Sequence, residues 1–216
     1  MNLTFHGIGT LHRPLDPGEG NVWLAEDTFK VILDKLLEFR DFTLTVDDAN
    51  RSDVRIVLPA LLARKLRAIF FIPVGKLDKQ GYLRQEDIQI LVAGGMEIGT
   101  HGMYHIDWRG LDDGELSVEI KDSKKILEEI TCREIRKVSC PFGSYDRRVL
   151  HYLRDAKFQK VYTSDRGWAH SKWWIQPRNS LQATDTPQTL AEIMTQPNSM
   201  VKSLTRRAKR FVKRWR

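Results

Sequence analysis

Short apolar runs alternate with longer stretches of helical period along most of this 216-residue chain, and that alternation leaves few folds open. Leu3 to Phe5, Phe42 to Val46, Ala68 to Val74, Met96 to Thr100, Lys137 to Cys140, Lys160 to Thr163 and Trp173 to Gln176 read as strands. Thr28 to Arg40, Asp53 to Lys65, Gln85 to Ala93, Leu116 to Ile130 and Arg147 to Ala156 read as the helices between them. In the first helix Phe29, Ile32, Leu33, Leu36 and Leu37 fall on one face. Strands and helices alternating at these lengths predict βα units and a parallel sheet in one α/β domain. About seven strands suit a distorted or incomplete (β/α) barrel better than an open doubly wound sheet.

Four segments at the C-terminal ends of these strands carry chemistry. They are Thr45-Val46-Asp47-Asp48, His101-Gly102-Met103-Tyr104-His105, Pro141-Phe142-Gly143 and Asp165-Arg166-Gly167-Trp168. Barrels of this kind place their active sites at that end. Two imidazoles and a carboxylate are a common ligand set for a catalytic zinc that keeps one position open to water. A second carboxylate beside the first offers a base, and the combination points to hydrolysis of an ester or amide. Each piece has a plainer reading: a helix cap for one of Asp47 and Asp48, an Asx-turn for Asp165, simple packing for Trp168, Trp173 and Trp174. Cys140 reads as a small buried side chain and Asp146 as a helix cap.

Net charge divides the chain. Eight of its 35 basic residues lie between Lys202 and Arg216, with no acid among them. Residues 1–201 therefore carry 27 basic against 28 acidic side chains, and the formal charge of +7 belongs to the tail. Val201, Leu204, Ala208, Phe211, Val212 and Trp215 recur there at helical spacing, the pattern of a short basic helix on an anionic membrane surface. A nucleic-acid tail has similar composition but is ranked behind the membrane. The expected division is a catalytic domain over 1–200 and a tail over 201–216. No run approaches the roughly 20 apolar residues that span a bilayer. The start lacks a secretory pattern, and Cys132 and Cys140 fit a reducing compartment, so the expected location is cytoplasmic, peripheral on the inner membrane face.

The strings Leu44-Thr45-Val46-Asp47-Asp48, Ala68-Ile69-Phe70-Phe71-Ile72 and Gly95-Met96-Glu97-Ile98-Gly99-Thr100-His101 through His105 resemble the polysaccharide deacetylases of carbohydrate esterase family four, exopolysaccharide-associated type. The resemblance runs from Thr4 to about Arg178 in the family's order. It implies a distorted (β/α) barrel and a divalent metal, most often Zn2+, removing acetyl groups from an N-acetylated glycan or lipid-linked sugar. By position it implies Asp47 as base, Asp48, His101 and His105 as metal ligands, the backbone N–H of Phe142 as oxyanion donor, and Asp165 as an acid that orients other groups. Two family features are replaced. Ser139 and Cys140 stand where an arginine often steadies the base; Arg67 reads equally as a substitute for it and as a solvated helix-end arginine. No late Leu-x-His follows His170, so the general acid is expected to be His6, ahead of His170. The competing readings are a deformylase of a lipid-linked aminosugar and a metal-binding module without turnover.

Overall fold

Eight parallel strands in the order β7-β6-β5-β4-β3-β2-β1-β8 form one curled sheet in the computed structural model, which describes residues 1–195 and Lys213. The strands are β1 (Asn2–Phe5), β2 (Thr43–Asp47), β3 (Ala68–Ile72), β4 (Glu97–Thr100), β5 (Lys137–Ser139), β6 (Lys160–Thr163), β7 (Ile175–Pro177) and β8 (Asn179–Ser180). The helices are α1 (Glu26–Leu36), α2 (Leu58–Ala63), α3 (Gln85–Ala93), α4 (Asp113–Ser117), α5 (Ser123–Thr131), α6 (Arg147–Asp155) and α7 (Pro187–Thr195). The first strand pairs with both β2 and β8, so the sheet nearly closes into a barrel whose seam lies between β7 and β8.

The strand count is eight rather than about seven. The added strand, Asn179–Ser180, has two residues and no alternation of its own; it exists because it pairs with Leu3 and Thr4. Pro177 ends β7 and has no N–H to offer the ladder, which suits a strand at a seam. Side chains bridge that seam instead. The Asn2 side-chain amide donates to Gln176 Oε1 and the Pro177 carbonyl, 3.1 Å each, and Asn179 donates to the Asn2 carbonyl at 3.2 Å.

Two expected helices are also interrupted. The stretch over Asp53–Lys65 begins with a π-turn at Asp53–Val57, and the one over Leu116–Ile130 is broken by a π-turn at Val118–Asp122. Each wide turn seats a fully buried acid, Asp53 and Glu119, behind the site described below. The amphipathic run expected over 201–216 lies outside the described residues apart from Lys213.

Alternation along the strands sorts the core into two parts. Leu44, Val46, Phe70, Ile72, Ile98, Val138 and Val161 pack outward beneath the helices. The opposite parity lines the barrel with few apolar groups: Ile69, Phe71 and Tyr162 form a small separate cluster. Thr4 and Thr45 bond to each other at 2.9 Å inside the same barrel. Gly99 of β4 leaves the gap that the Phe71 ring fills, since a Cβ there would lie 2.5 Å from the ring and 2.9 Å from the Lys137 carbonyl. Gly99→Ala should therefore lower stability by about 1–3 kcal/mol through overpacking. Urea unfolding would measure it, and an unchanged midpoint would show that the interior can yield.

Candidate functional site

Asp47 is the last residue of β2, and the chain turns at once through Asp48 and Ala49, whose φ angles of 79° and 56° lie in the left-handed region. That turn points two adjacent carboxylates into one cleft. His101 follows β4, and its loop passes through Gly102 (φ 81°) to His105 (φ 58°). The Glu119 carboxylate holds this loop, accepting from the backbone N–H of Met103 and Tyr104 at 2.9 Å each and from Trp108 Nε1 at 3.0 Å. A Cβ on Gly102 would fall 2.4 Å from Glu119 Oε2, so the loop closes this tightly only around glycine.

Ligand-type atoms of Asp48, His101 and His105 all lie within 4.8 Å of one another. Asp48 Oδ1 is 3.3 Å from His105 Nε2 and 3.6 Å from His101 Nε2. Donors about 2.0–2.1 Å from a common tetrahedral zinc sit roughly 3.3–3.4 Å apart, close to the two separations from Asp48 to the histidines. The same oxygen is buried without a hydrogen-bond partner among the described residues. His101 Nδ1 lies 2.7 Å from the Ser139 carbonyl, which can only accept, so the proton sits on Nδ1 and the Nε2 lone pair faces Asp48. Burial holds the His101 imidazolium down to about 4, against the pull of Asp47, so the ring is neutral at neutral pH.

Asp47 belongs to a different circle of partners. Its two oxygens accept from Arg178 Nη1 and Nη2, 2.7 Å each, and Ser139 Oγ approaches at 3.4 Å. Arg178 also donates to Thr45 Oγ1 at 3.1 Å and Ser139 Oγ at 2.7 Å. Burial pushes the Asp47 pKa up, but Arg178 and His101 outweigh it and hold the carboxyl well below the usual carboxylate range. Asp48 is likewise held low, burial opposing and the three neighbouring imidazoles prevailing, with His105 foremost. Asp53 behind them goes the other way: burial, then the charges of Asp48 and Asp47, push it well above its ordinary value.

These residues open onto a cleft of about 730 Å3 whose lining includes His6, Lys76, Tyr104, Cys140, Phe142 and Arg178. His6 comes in just past β1, with Nδ1 buried and without a hydrogen-bond partner among the described residues. Phe142 is 66% exposed with its ring 4.7 Å from that of His105; Phe142 and Gly143 are both left-handed, at φ 56° and 65°. Asp165 lies behind that turn, accepting from Tyr145 Oη at 2.8 Å and Thr163 Oγ1 at 3.0 Å. Cys140 is fully buried, and burial pushes its thiol up to about 12, which leaves it inert.

Six residues singled out in the sequence, Asp47, Asp48, His101, His105, Phe142 and His6, thus line one cleft, and a seventh, Asp165, lies behind the Phe142 turn without lining it. His170 does not line the cleft; its ring bonds within its own loop to the Lys172 N–H at 3.2 Å. Arg67 is not the partner of the base, since its Nη1 donates to the Leu66 carbonyl at 3.3 Å on the surface. Trp173 and Trp174 line a separate groove beside α6 rather than the cleft. Arg178, Glu119 and Asp53 were missed. For Arg178 a signal existed: an arginine in a strand otherwise reading Ile-Gln-Pro is out of place unless it has a buried carboxylate to meet.

A family model described as polysaccharide deacetylase matches residues 37–161. YxkH of Bacillus subtilis (strain 168), which carries the same family name, is 22% identical over 158 residues, 73% of this chain and 54% of that protein. The chain therefore spans about half the length of this curated relative. Among solved structures, the deacetylase PplD of Streptococcus pyogenes in complex with acetate aligns over 91% of this chain and 97% of its own, with TM-score 0.77 and 19% identity. IcaB from Ammonifex degensii aligns over 90% and 96%, with TM-score 0.75 and 19% identity.

Removing Arg178 strands a buried charge. Arg178→Met should cost about 3–5 kcal/mol in denaturant unfolding, and adding Asp47→Asn should recover most of it. Equal losses in the single and double variants would refute the pairing. A second expectation concerns pH. Folded His101 takes up its proton only near 4, the unfolded residue at 6.5, so the unfolded chain binds more protons between these values. The stability from this group is complete above 6.5 and is lost as pH falls towards 4. In metal-free protein the wild-type melting midpoint should fall more steeply across that window than that of His101→Gln. Parallel curves would contradict it.

Proposed function

The chain belongs to the polysaccharide deacetylase family, and we propose that it is a metal-dependent hydrolase that removes N-acetyl groups from a sugar of a glycan. The observation that carries this reading is the pairing of two differently built carboxylates: Asp48 joined to His101 and His105 as a donor set, and Asp47 beside it locked to Arg178. A module that only bound metal would need the first and not the second.

Asp48, His101 and His105 would hold the divalent cation, Zn2+ by the chemistry of the donors. Once bound it would supply a Lewis acid and lower the pKa of water at the site. Asp47, kept ionised by Arg178, accepts the proton of the attacking water. Arg178 and Ser139 keep that carboxylate from rotating out of line. The Phe142 N–H, on the turn that borders the cleft, meets the negative charge growing on the acyl oxygen. His6, with its buried ring nitrogen directed at no protein partner, hands a proton to the departing amine. Asp165 supports the Phe142 turn from behind through Tyr145.

The substrate proposed is an N-acetylated glycan or its lipid-linked precursor in surface-polysaccharide synthesis, met on the inner face of the membrane. The basic apolar pattern of residues 201–216 supports that placement. Among the described residues, no helix is long and apolar enough to cross a membrane.

Metal content and acyl release from N-acetylated oligosaccharides and lipid-linked sugars would test the reading. Asp47→Asn should retain metal and lose about 10²–10⁴-fold in kcat, whereas His101→Ala should lose the metal itself. Formate released in place of acetate would move the reading to a deformylase. Bound metal with no acyl release from any substrate would overturn it.

A further inference from the structure

The turn carrying Phe142 is costly to hold. Phe142 and Gly143 are consecutive left-handed residues, and Phe142 has a side chain that disfavours that region. Within the turn, Gly143 N–H bonds the Cys140 carbonyl at 2.9 Å and Ser144 N–H bonds the Pro141 carbonyl at 3.0 Å. The Gly143 carbonyl points the other way, and its partner comes from the far end of the chain: Lys213 Nζ donates to it at 3.0 Å. The same ammonium donates to Asp165 Oδ1 at 2.7 Å and lies 5.0 Å over the ring of Tyr145, whose hydroxyl donates to the other Asp165 oxygen.

We infer that Lys213 is a positioning residue of the hydrolytic site, clipping the loop after β6 to the turn after β5 and thereby fixing the Phe142 N–H against the cleft. This role rests on the deacetylase reading given above. Three observations support it. The Asp165 side chain is 5% exposed, and Lys213 is the one cation in ion-pair range of it among the described residues. An ionised carboxylate that deeply buried is expensive without a paired charge. Gly143 and Asp165 stand on separate loops, and the ammonium donates to both at once, so one side chain sets their spacing. Finally, a Cβ on Gly143 would lie 2.6 Å from the Ser164 backbone nitrogen, so the two loops already touch where the clip holds them. A basic tail that merely gathered charge would need none of these contacts.

The partner chemistry is specific enough to test. Lys213→Met keeps the chain's reach and removes the charge; Lys213→Arg keeps the charge; Lys209→Met controls for the tail's net charge. We expect Lys213→Met to lose about tenfold or more in kcat with KM nearly unchanged, because a displaced oxyanion donor weakens the transition state more than the ground state. Arg at 213 should restore most of the rate, as should ethylammonium added to Lys213→Ala, whose truncated side chain leaves room for the amine; a general loss of stability would permit neither. In metal-free protein, amide hydrogen exchange over residues 141–145 should rise in Lys213→Met and stay at the wild-type level in the Lys209 control. Wild-type kcat together with unchanged exchange in Lys213→Met would overturn the inference. If the wild type itself released no acyl group, the functional reading would fall, and the exchange result would still decide whether Lys213 holds the turn.

Discussion

A guanidinium inside the barrel, bound through two nitrogens to one carboxylate, is the contact on which the rest of this structure turns. Arg178 sits in the seam between β7 and β8, yet its side chain reaches Asp47 at the end of β2 and Ser139 at the end of β5. The barrel interior is too poor in apolar groups to close by hydrophobic contact alone; the small Ile69–Phe71–Tyr162 cluster is what it has. The Arg178 ring of donors, lying over Phe71, supplies the missing cross-links. The bond that helps close the fold is thus the bond that sets the charge of the base. A buried ion pair of this kind is weak evidence for stability as such. Its value lies in fixing one arrangement of three strands.

Three carboxylates within one small volume are kept in different states by their surroundings. Asp47 is ionised because Arg178 and His101 face it; Asp48 is ionised because imidazoles surround it; Asp53, buried behind both, is driven towards its neutral form. The Asp47–Arg178 pair cancels, and His101 is neutral. The Asp48 carboxylate is directed at two imidazole nitrogens. Were Asp53 ionised too, a further negative charge would lie buried behind it. The buried neutral acid limits the charge density that a divalent cation would have to offset.

The elements that make the site were legible where local pattern decides structure. Ala68 to Ile72, with no polar residue, reads as a buried strand without help, and Asp47, His101 and Pro141 stand where short strands must end. What was not legible depends on partners distant in sequence. Asn179–Ser180 is a strand only because Leu3 and Thr4 accept it. Arg178 is 131 residues from Asp47; its place after Ile-Gln-Pro hints at a buried acid, but nothing local says which one. Glu119 stands three residues after Leu116 and eight before Leu127, on the buried face of its helix, but nothing in that spacing tells which loop the carboxylate holds; its partners are 15 and 16 residues away. Arg67 drew attention because it precedes a strand of the site, but it precedes it at the opposite end of the barrel.

Left-handed backbone occurs at both ends of the barrel, and at the end that carries the chemistry it falls on Asp48, Ala49, Gly102, His105, Phe142, Gly143 and Arg166. Side chains on a strand point alternately into and out of the barrel, and a sharp reversal past the strand's end is what brings neighbouring donors into a shared cleft. Each reversal by a non-glycine residue costs energy, so each needs an external tie. Glu119 ties the histidine loop, and Lys213 with Asp165 ties the Phe142 turn. Both ties are ionic groups far in sequence from what they hold, and neither faces the cleft. Precision at this site therefore draws on charges that take no part in the reaction.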